Sequence, residues 1–151
     1  MPEGLKIGVV GYSSNRIDFI HAEALLNLAF DSILSKNTAA QHIEIVSGLT
    51  NVGIPKIAYD IARKRGFQLV GISAEQAFKV HCGIYPVDKQ MIHGVTFGDE
   101  SELFVNYIDY LVRVGGGKQS HNEVQLFIAK CVSSGWSIAE RLIENELPLV
   151  S

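Results

Sequence analysis

Residues 108–123 read IDYLVRV-GGGKQSHNE: a mostly apolar run, Ile108–Val114, broken by three glycines and followed at once by a helix-forming stretch. An apolar run without polar alternation is the pattern of a strand buried on both faces, as in a parallel sheet. Ser120–Val132 places Val124, Phe127, Ile128, Cys131 and Val132 on one helical stripe, so the segment predicts strand, glycine turn and helix in succession.

The same layout recurs upstream. Leu5–Gly11 (LKIGVVG) predicts a buried strand, and Asn15 to about Ser35 a helix carrying Ala22, Leu25, Leu26, Ala29 and Ile33. Ile43–Gly48 (IEIVSG) predicts a second strand, followed by a helix over Ile54–Arg65 that Gly66 ends. Phe67–Ser73 predicts a third strand, after which Ser73-Ala-Glu-Gln76 has the spacing of a capping box opening a short helix. Lys79–Gln90 reads as a loop, Met91–Phe97 as a strand and Asp99–Glu102 as a helix start. The tail, Trp136–Ser151, predicts a short helix and a last strand at Leu147–Val150. Strands alternating with helices give one α/β, Rossmann-like domain over residues 1–151: a doubly wound, mainly parallel sheet with helices on both faces.

Composition narrows the function classes. A chain of 151 residues that is 47% hydrophobic and 19% charged builds a core and is not disordered. Its net charge of −3 draws it neither to nucleic acid nor to an anionic membrane, and no apolar run has spanning length. The N-terminus lacks a signal-peptide layout, so a cytoplasmic protein is expected. Cys82 and Cys131 do not make a disulfide framework. His81, Cys82 and His93 lack metal-ligand spacing, so no metal is expected. Arg63-Lys64-Arg65 reads as a solvated helix end.

Parallel sheets of this kind bind ligands at the carboxyl ends of their strands. Three strand-to-helix turns fall there: Gly11, Tyr12, Ser13, Ser14 and Asn15; then Gly48, Leu49, Thr50, Gly53 and Ile54; then Gly115, Gly116, Gly117, Lys118, Gln119 and Ser120. Backbone N–H groups, small hydroxyls and helix starts suit an anion, above all phosphate. Ser13, Ser14 and Asn15 either cap the first helix or bind that phosphate. Two standard fingerprints are absent. Gly11 stands without the further glycines of a dinucleotide-binding turn, and Gly117-Lys118 is followed by Gln119 rather than Ser or Thr. Ser120 and Glu123 form a capping box by spacing; alternatively Glu123 meets a sugar hydroxyl or a base. His121 either faces the ligand or is solvated.

At GGGKQSHNE the chain resembles the SLOG superfamily, which includes the Lonely guy phosphoribohydrolases, molybdenum-cofactor carrier proteins and the Rossmann-like part of DNA-processing protein A. The Lonely guy signature is P-G-G-x-G-T-x-x-E. Gly116, Gly117, Ser120 (for Thr) and Glu123 match it, while Gly115 replaces the proline and Gln119 the third glycine. The wider layout is similar over about residues 5–134, with Asp109 opening the strand before the glycines.

The resemblance implies a nucleotide or nucleotide-derived phosphate ligand across the three turns, no required cofactor and a homo-oligomer. It implies a carrier or sensor, or alternatively a hydrolase releasing the base of a nucleoside monophosphate, with Glu123 as the catalytic acidic group that stabilises the oxocarbenium-like centre. The hydrolases also use an arginine, and Asp99–Tyr107 contains neither Arg nor Lys. Arg113 is then the one guanidinium nearby, either catalytic beside Glu123 or paired at the sheet edge.

Overall fold

The computed structural model describes residues 4–150. Six strands, all parallel, lie in the order β4-β3-β2-β1-β5-β6. They are β1 Gly4–Gly11, β2 His42–Ser47, β3 Gln68–Ser73, β4 Lys89–Ile92, β5 Tyr110–Val114 and β6 Leu142–Asn145. The helices are α1 Phe19–Ser35, α2 Gly53–Arg65, α3 Ser101–Tyr107, α4 Lys118–Ser134 and α5 Ile138–Arg141, with a 3-10 turn at Glu75–Lys79. The doubly wound α/β reading of the sequence is what the chain adopts.

Two apolar layers hold the sheet. On one face α1 and α2 bury Leu26, Phe30, Ile33, Ile57 and Ala58 against Ile7, Val9 and Ile45. On the other, Phe104, Ile108, Val124 and Phe127 of the α3–α4 side cover Val10, Val46, Val70 and Leu111. Because the chain winds from β1 out to β4 and then returns to place β5 on the other side of β1, the strand order reverses between β1 and β5. Loops leave in opposite directions there and open a crevice.

Several local expectations are corrected. The first helix starts at Phe19 rather than Asn15. Asp18 caps it, accepting the His21 N–H at 3.1 Å, and the buried pair Ile17 and Ala22 staples the entry. Ser73 caps nothing: the 3-10 turn follows Ala74 without a side-chain cap, and Gln76 Oε1 instead accepts the Phe97 N–H at 2.9 Å. β4 stops at Ile92, not Phe97, because Asp99 Oδ2 accepts the N–H groups of Val95 and Thr96 and folds that segment into a turn. The last strand is Leu142–Asn145, and Leu147–Val150 carries no ladder; Leu147 packs into the core while Val150 N–H donates to the Arg16 carbonyl at 2.7 Å.

The capping box at Ser120 and Glu123 is not made either. α4 begins at Lys118 with Gly117 as its N-cap, so Ser120 is already the third helical residue. Its hydroxyl turns to the Gly11 carbonyl at 3.5 Å, leaving Glu123 to other partners.

Candidate functional site

The crevice between β1 and β5 is a cleft of about 460 Å³ at the carboxyl ends of the strands. All three glycine turns reach it, and they are joined to one another. Ile54 N–H donates to the Tyr12 carbonyl at 2.9 Å, and the Ser13 and Thr50 hydroxyls lie 3.1 Å apart, fixing the second turn to the first. The third turn meets the first at Gly116, where an added Cβ would lie 3.2 Å from Gly11 Cα and 2.6 Å from Ser120 Oγ. Gly116 holds φ +102°, a region that side-chain-bearing residues avoid.

Not every predicted site residue faces the cleft. Gly11, Tyr12, Ser13, Gly48, Thr50, Gly117, Lys118, Gln119, Ser120 and Glu123 line it. Ser14 and Asn15 do not; Ser14 Oγ accepts the Arg16 N–H at 3.1 Å and turns the chain towards α1. Leu49 is fully buried against Gly71, and Gly53 and Ile54 are the buried seam to the first turn. Gly115 and Gly116 shape the third turn from behind, Gly115 N–H donating to the Asn145 carbonyl at 2.8 Å. His121 is exposed outside the cleft, its Nδ1 2.8 Å from the Gly117 carbonyl.

The donor end of the cleft is the start of α4. Gly117 supplies no side-chain cap, so the first N–H groups of a 17-residue helix open on the cavity, beside Lys118. The start of α2 is less available, since Ile54 N–H is already used and Pro55 has none.

The opposite end is acidic. Glu123, 6% exposed, accepts from Ser101 Oγ at 2.9 Å and from Gln119 Nε2 at 3.4 Å, both on Oε2. Glu100, 3% exposed, accepts the Gly98 N–H at 2.9 Å and the same Gln119 Nε2 at 3.2 Å. Burial pushes the Glu123 carboxyl up to about 7; hydrogen bonds from Ser101 and Gln119 oppose the rise and the Glu100 charge adds to it. Phe97 and Phe104 line the same cleft as this carboxylate pair.

Glu100, Ser101, Phe97 and Phe104 had no assigned role in the sequence. Asp99–Tyr107 holds no Lys or Arg, and what it brings instead is a second buried carboxylate. Two aromatics seven residues apart around an acidic turn were the available signal, but only the return of α3 onto β1 shows which way they face.

Arg113 does not approach this pair. Its guanidinium donates from Nε to Glu144 at 2.7 Å, from Nη2 to Glu146 at 2.5 Å and from Nη1 to the Gly115 carbonyl at 2.8 Å. Glu144 is its register partner on β6, so the arginine is occupied in pairing the edge strand. Arg113→Met should therefore lower the unfolding free energy by about 1–2 kcal/mol, because the exposed Glu146 and partly exposed Glu144 carboxylates are rehydrated when the partner is lost. Ligand affinity should be retained, and urea unfolding alongside a nucleotide titration checks both parts.

Among the described residues no three His, Cys, Asp or Glu side chains gather around a common point, and no helix is long and apolar enough to cross a membrane. Cys82 is exposed at the rim of the cleft, whereas Cys131 is on the buried face of α4 and its thiol is pushed up by that burial.

No protein-family model and no curated protein sequence matches the chain. Solved structures do. The X-ray structure of TM1055, a structural-genomics target, is 19% identical with TM-score 0.64, covering 94% of this chain and 91% of its own. The molybdenum cofactor carrier protein of Chlamydomonas reinhardtii is 17% identical with TM-score 0.63 (94% and 89% covered). The molybdenum cofactor binding protein of the phototrophic bacterium Rippkaea orientalis is 18% identical, also with TM-score 0.63 (97% and 77% covered). At these identities the likeness is one of fold: the chain shares the parallel α/β architecture of the molybdenum cofactor carriers.

Proposed function

We propose that the protein is a carrier or sensor that binds a nucleotide or nucleotide-derived phosphate compound in the cleft between β1 and β5. The observation that carries this reading is the meeting of three turns around the uncapped start of α4, where free N–H groups and Lys118 face one cavity. The phosphate would sit there, and the sugar and base would extend along Gly11–Ser13 and Thr50 towards Glu123. The carrier names of the neighbours support a cargo-binding role. The engagement of Arg113 with Glu144 and Glu146 favours binding over turnover. The chain is proposed to act as a homo-oligomer in the cytoplasm.

The second reading, N-glycosidic hydrolysis of a nucleoside monophosphate, is favoured by one feature. A carboxyl group titrating near neutrality beside a second carboxylate is the pairing that general acid and base work needs.

A thermal-shift screen against nucleoside mono-, di- and triphosphates and molybdopterin-like compounds, with chromatography of each incubated ligand, separates the two. A ligand at a hundred times its Kd adds about 2.7 kcal/mol of stability. A shift with the ligand recovered intact is the expected result; released base makes the protein a hydrolase; no shift with any compound removes the ligand assignment.

Gly116→Val is expected to abolish the shift, since a Cβ there meets Ser120 and the φ is unfavourable. Lys118→Ala, which touches no packing, should weaken binding about tenfold. An undiminished shift in both variants places the ligand elsewhere.

A further inference from the structure

The acidic end of the cleft has a chemistry of its own. Glu123 Oε2 takes both hydrogen bonds that reach this side chain, and Oε1 takes none among the described residues. Among the described residues no buried side-chain oxygen or nitrogen lacks a partner, so Oε1 is not sealed in protein; it opens on the cavity that Glu123 lines. No Lys, Arg or His among the described residues pairs with Glu123 or Glu100. The Gln119 amide spends its Nε2 donors on the two carboxylates. What remains facing the ligand is a set of acceptors without a donor.

When ionised, the pair is acceptor-only: Glu123 Oε1 is open, and the oxygens held by Gln119 keep a second lone pair, so two neighbouring N–H groups can be accepted side by side. A second phosphate is repelled there. We propose that Glu123 and Glu100, linked through Gln119, form a specificity subsite for a planar base edge carrying a ring N–H beside an exocyclic amino group, the edge that guanine presents.

Three features of the cleft agree with this. Phe97 and Phe104 supply apolar walls for a flat ring. Glu123 follows Gly117 by about 9 Å of helical rise on the same helix, so a ligand anchored at the helix start meets it by extending along α4. Gln119, where the resembled signature has glycine, ties the two acids together and could not do so without its side chain.

The inference rests on the proposed phosphate site, and the test keeps the two apart. Titration calorimetry of the full chain with GMP, IMP and AMP compares ligands that share the phosphate and sugar. GMP and IMP differ only in the exocyclic amino group. GMP is expected to bind about tenfold or more tightly than IMP, since a buried acceptor left unpaired is costly. In Glu123→Gln, and in Glu100→Gln on a different element, the ratio of GMP affinity to IMP affinity should fall towards one. Equal affinities for GMP and IMP, or a preference that survives both substitutions, overturns the subsite and leaves the phosphate site standing. Absence of binding by all three, with no shift from any other phosphate compound, overturns both.

Discussion

Glu123→Gln is expected to make the ligand-free protein more stable at pH 8, by about 3 kcal/mol, and to leave it nearly unchanged at pH 4. The Glu123 carboxyl is pushed up to about 7 in the folded chain, against an ordinary value of 4.5. Below the ordinary value the group is protonated folded and unfolded alike, and burial of the neutral acid costs little. Between the two values the folded state holds a proton that the unfolded state has released, so stability falls as pH rises through this window. Above about 7 the carboxylate is ionised in both states and the full penalty is present, each pKa unit counting about 1.4 kcal/mol.

The amide is neutral at every pH, fits the same volume and can still accept from Ser101 Oγ. Urea unfolding of both proteins across pH 4–8 reads the difference. For a chain of this size a 3 kcal/mol gain raises Tm by about 6–12 °C. Equal stability at pH 8 would mean that the carboxylate is already well solvated or paired, and the acidic end of the cleft would lose its physical basis. A group that lowers stability at neutral pH, held by two neighbours and open on a cleft, is the kind of local conflict that folding alone does not require.

How far the sequence disclosed this site depends on which forces set each part. β1, β2 and β5 are mostly apolar, each with a single charged residue (Lys6, Glu44 and Arg113), because both faces of the sheet are covered, so their composition announces them. The glycine turns were equally legible, and with them the edge of the sheet that carries the cleft. The start of α4 was not. S-x-x-E fits Ser120 at the N-cap or at the third helical position, and local spacing cannot separate the two. The register is decided by Gly116, whose approach to Gly11 begins the helix at Lys118.

The tail shows the same limit. Leu147–Val150 is the more apolar stretch, but Pro148 lacks a donor for a ladder, and the buried guanidinium of Arg113 draws Glu144 into register instead. Glu100 was hidden because its burial is wholly tertiary. Nothing within Asp99–Glu102 distinguishes the acid that turns inward from the acidic residues on either side of it that face solvent.

Gly53→Ala should cost about 2–5 kcal/mol of stability, a large share of what a domain of this size possesses. Gly53 sits at φ +67°, where a side chain brings about 1–2 kcal/mol of strain. Its missing Cβ faces backbone rather than movable side chains: the Tyr12 carbonyl oxygen, closer than any Cβ contact allows, with Ser14 N at 2.6 Å and Ser14 O at 2.8 Å. To admit a methyl group, α2 must retreat from the first turn, which stretches the hydrogen bond from Ile54 N–H to Tyr12 and separates Ser13 from Thr50. Overpacking of this kind adds about 1–3 kcal/mol.

Gly48→Ala is the matched control. It belongs to the same turn and lines the cleft, has no unusual φ, and its added Cβ meets nothing within 4 Å, so its cost should stay below about 1 kcal/mol. The contrast separates two meanings of glycine in one turn, a seam between loops at Gly53 and open space for a ligand at Gly48. Urea unfolding of the pair decides it: if Gly53→Ala lies within 1 kcal/mol of Gly48→Ala, the first and second turns are not held together as described, and the cleft they form would not be preorganised for a phosphate-bearing ligand.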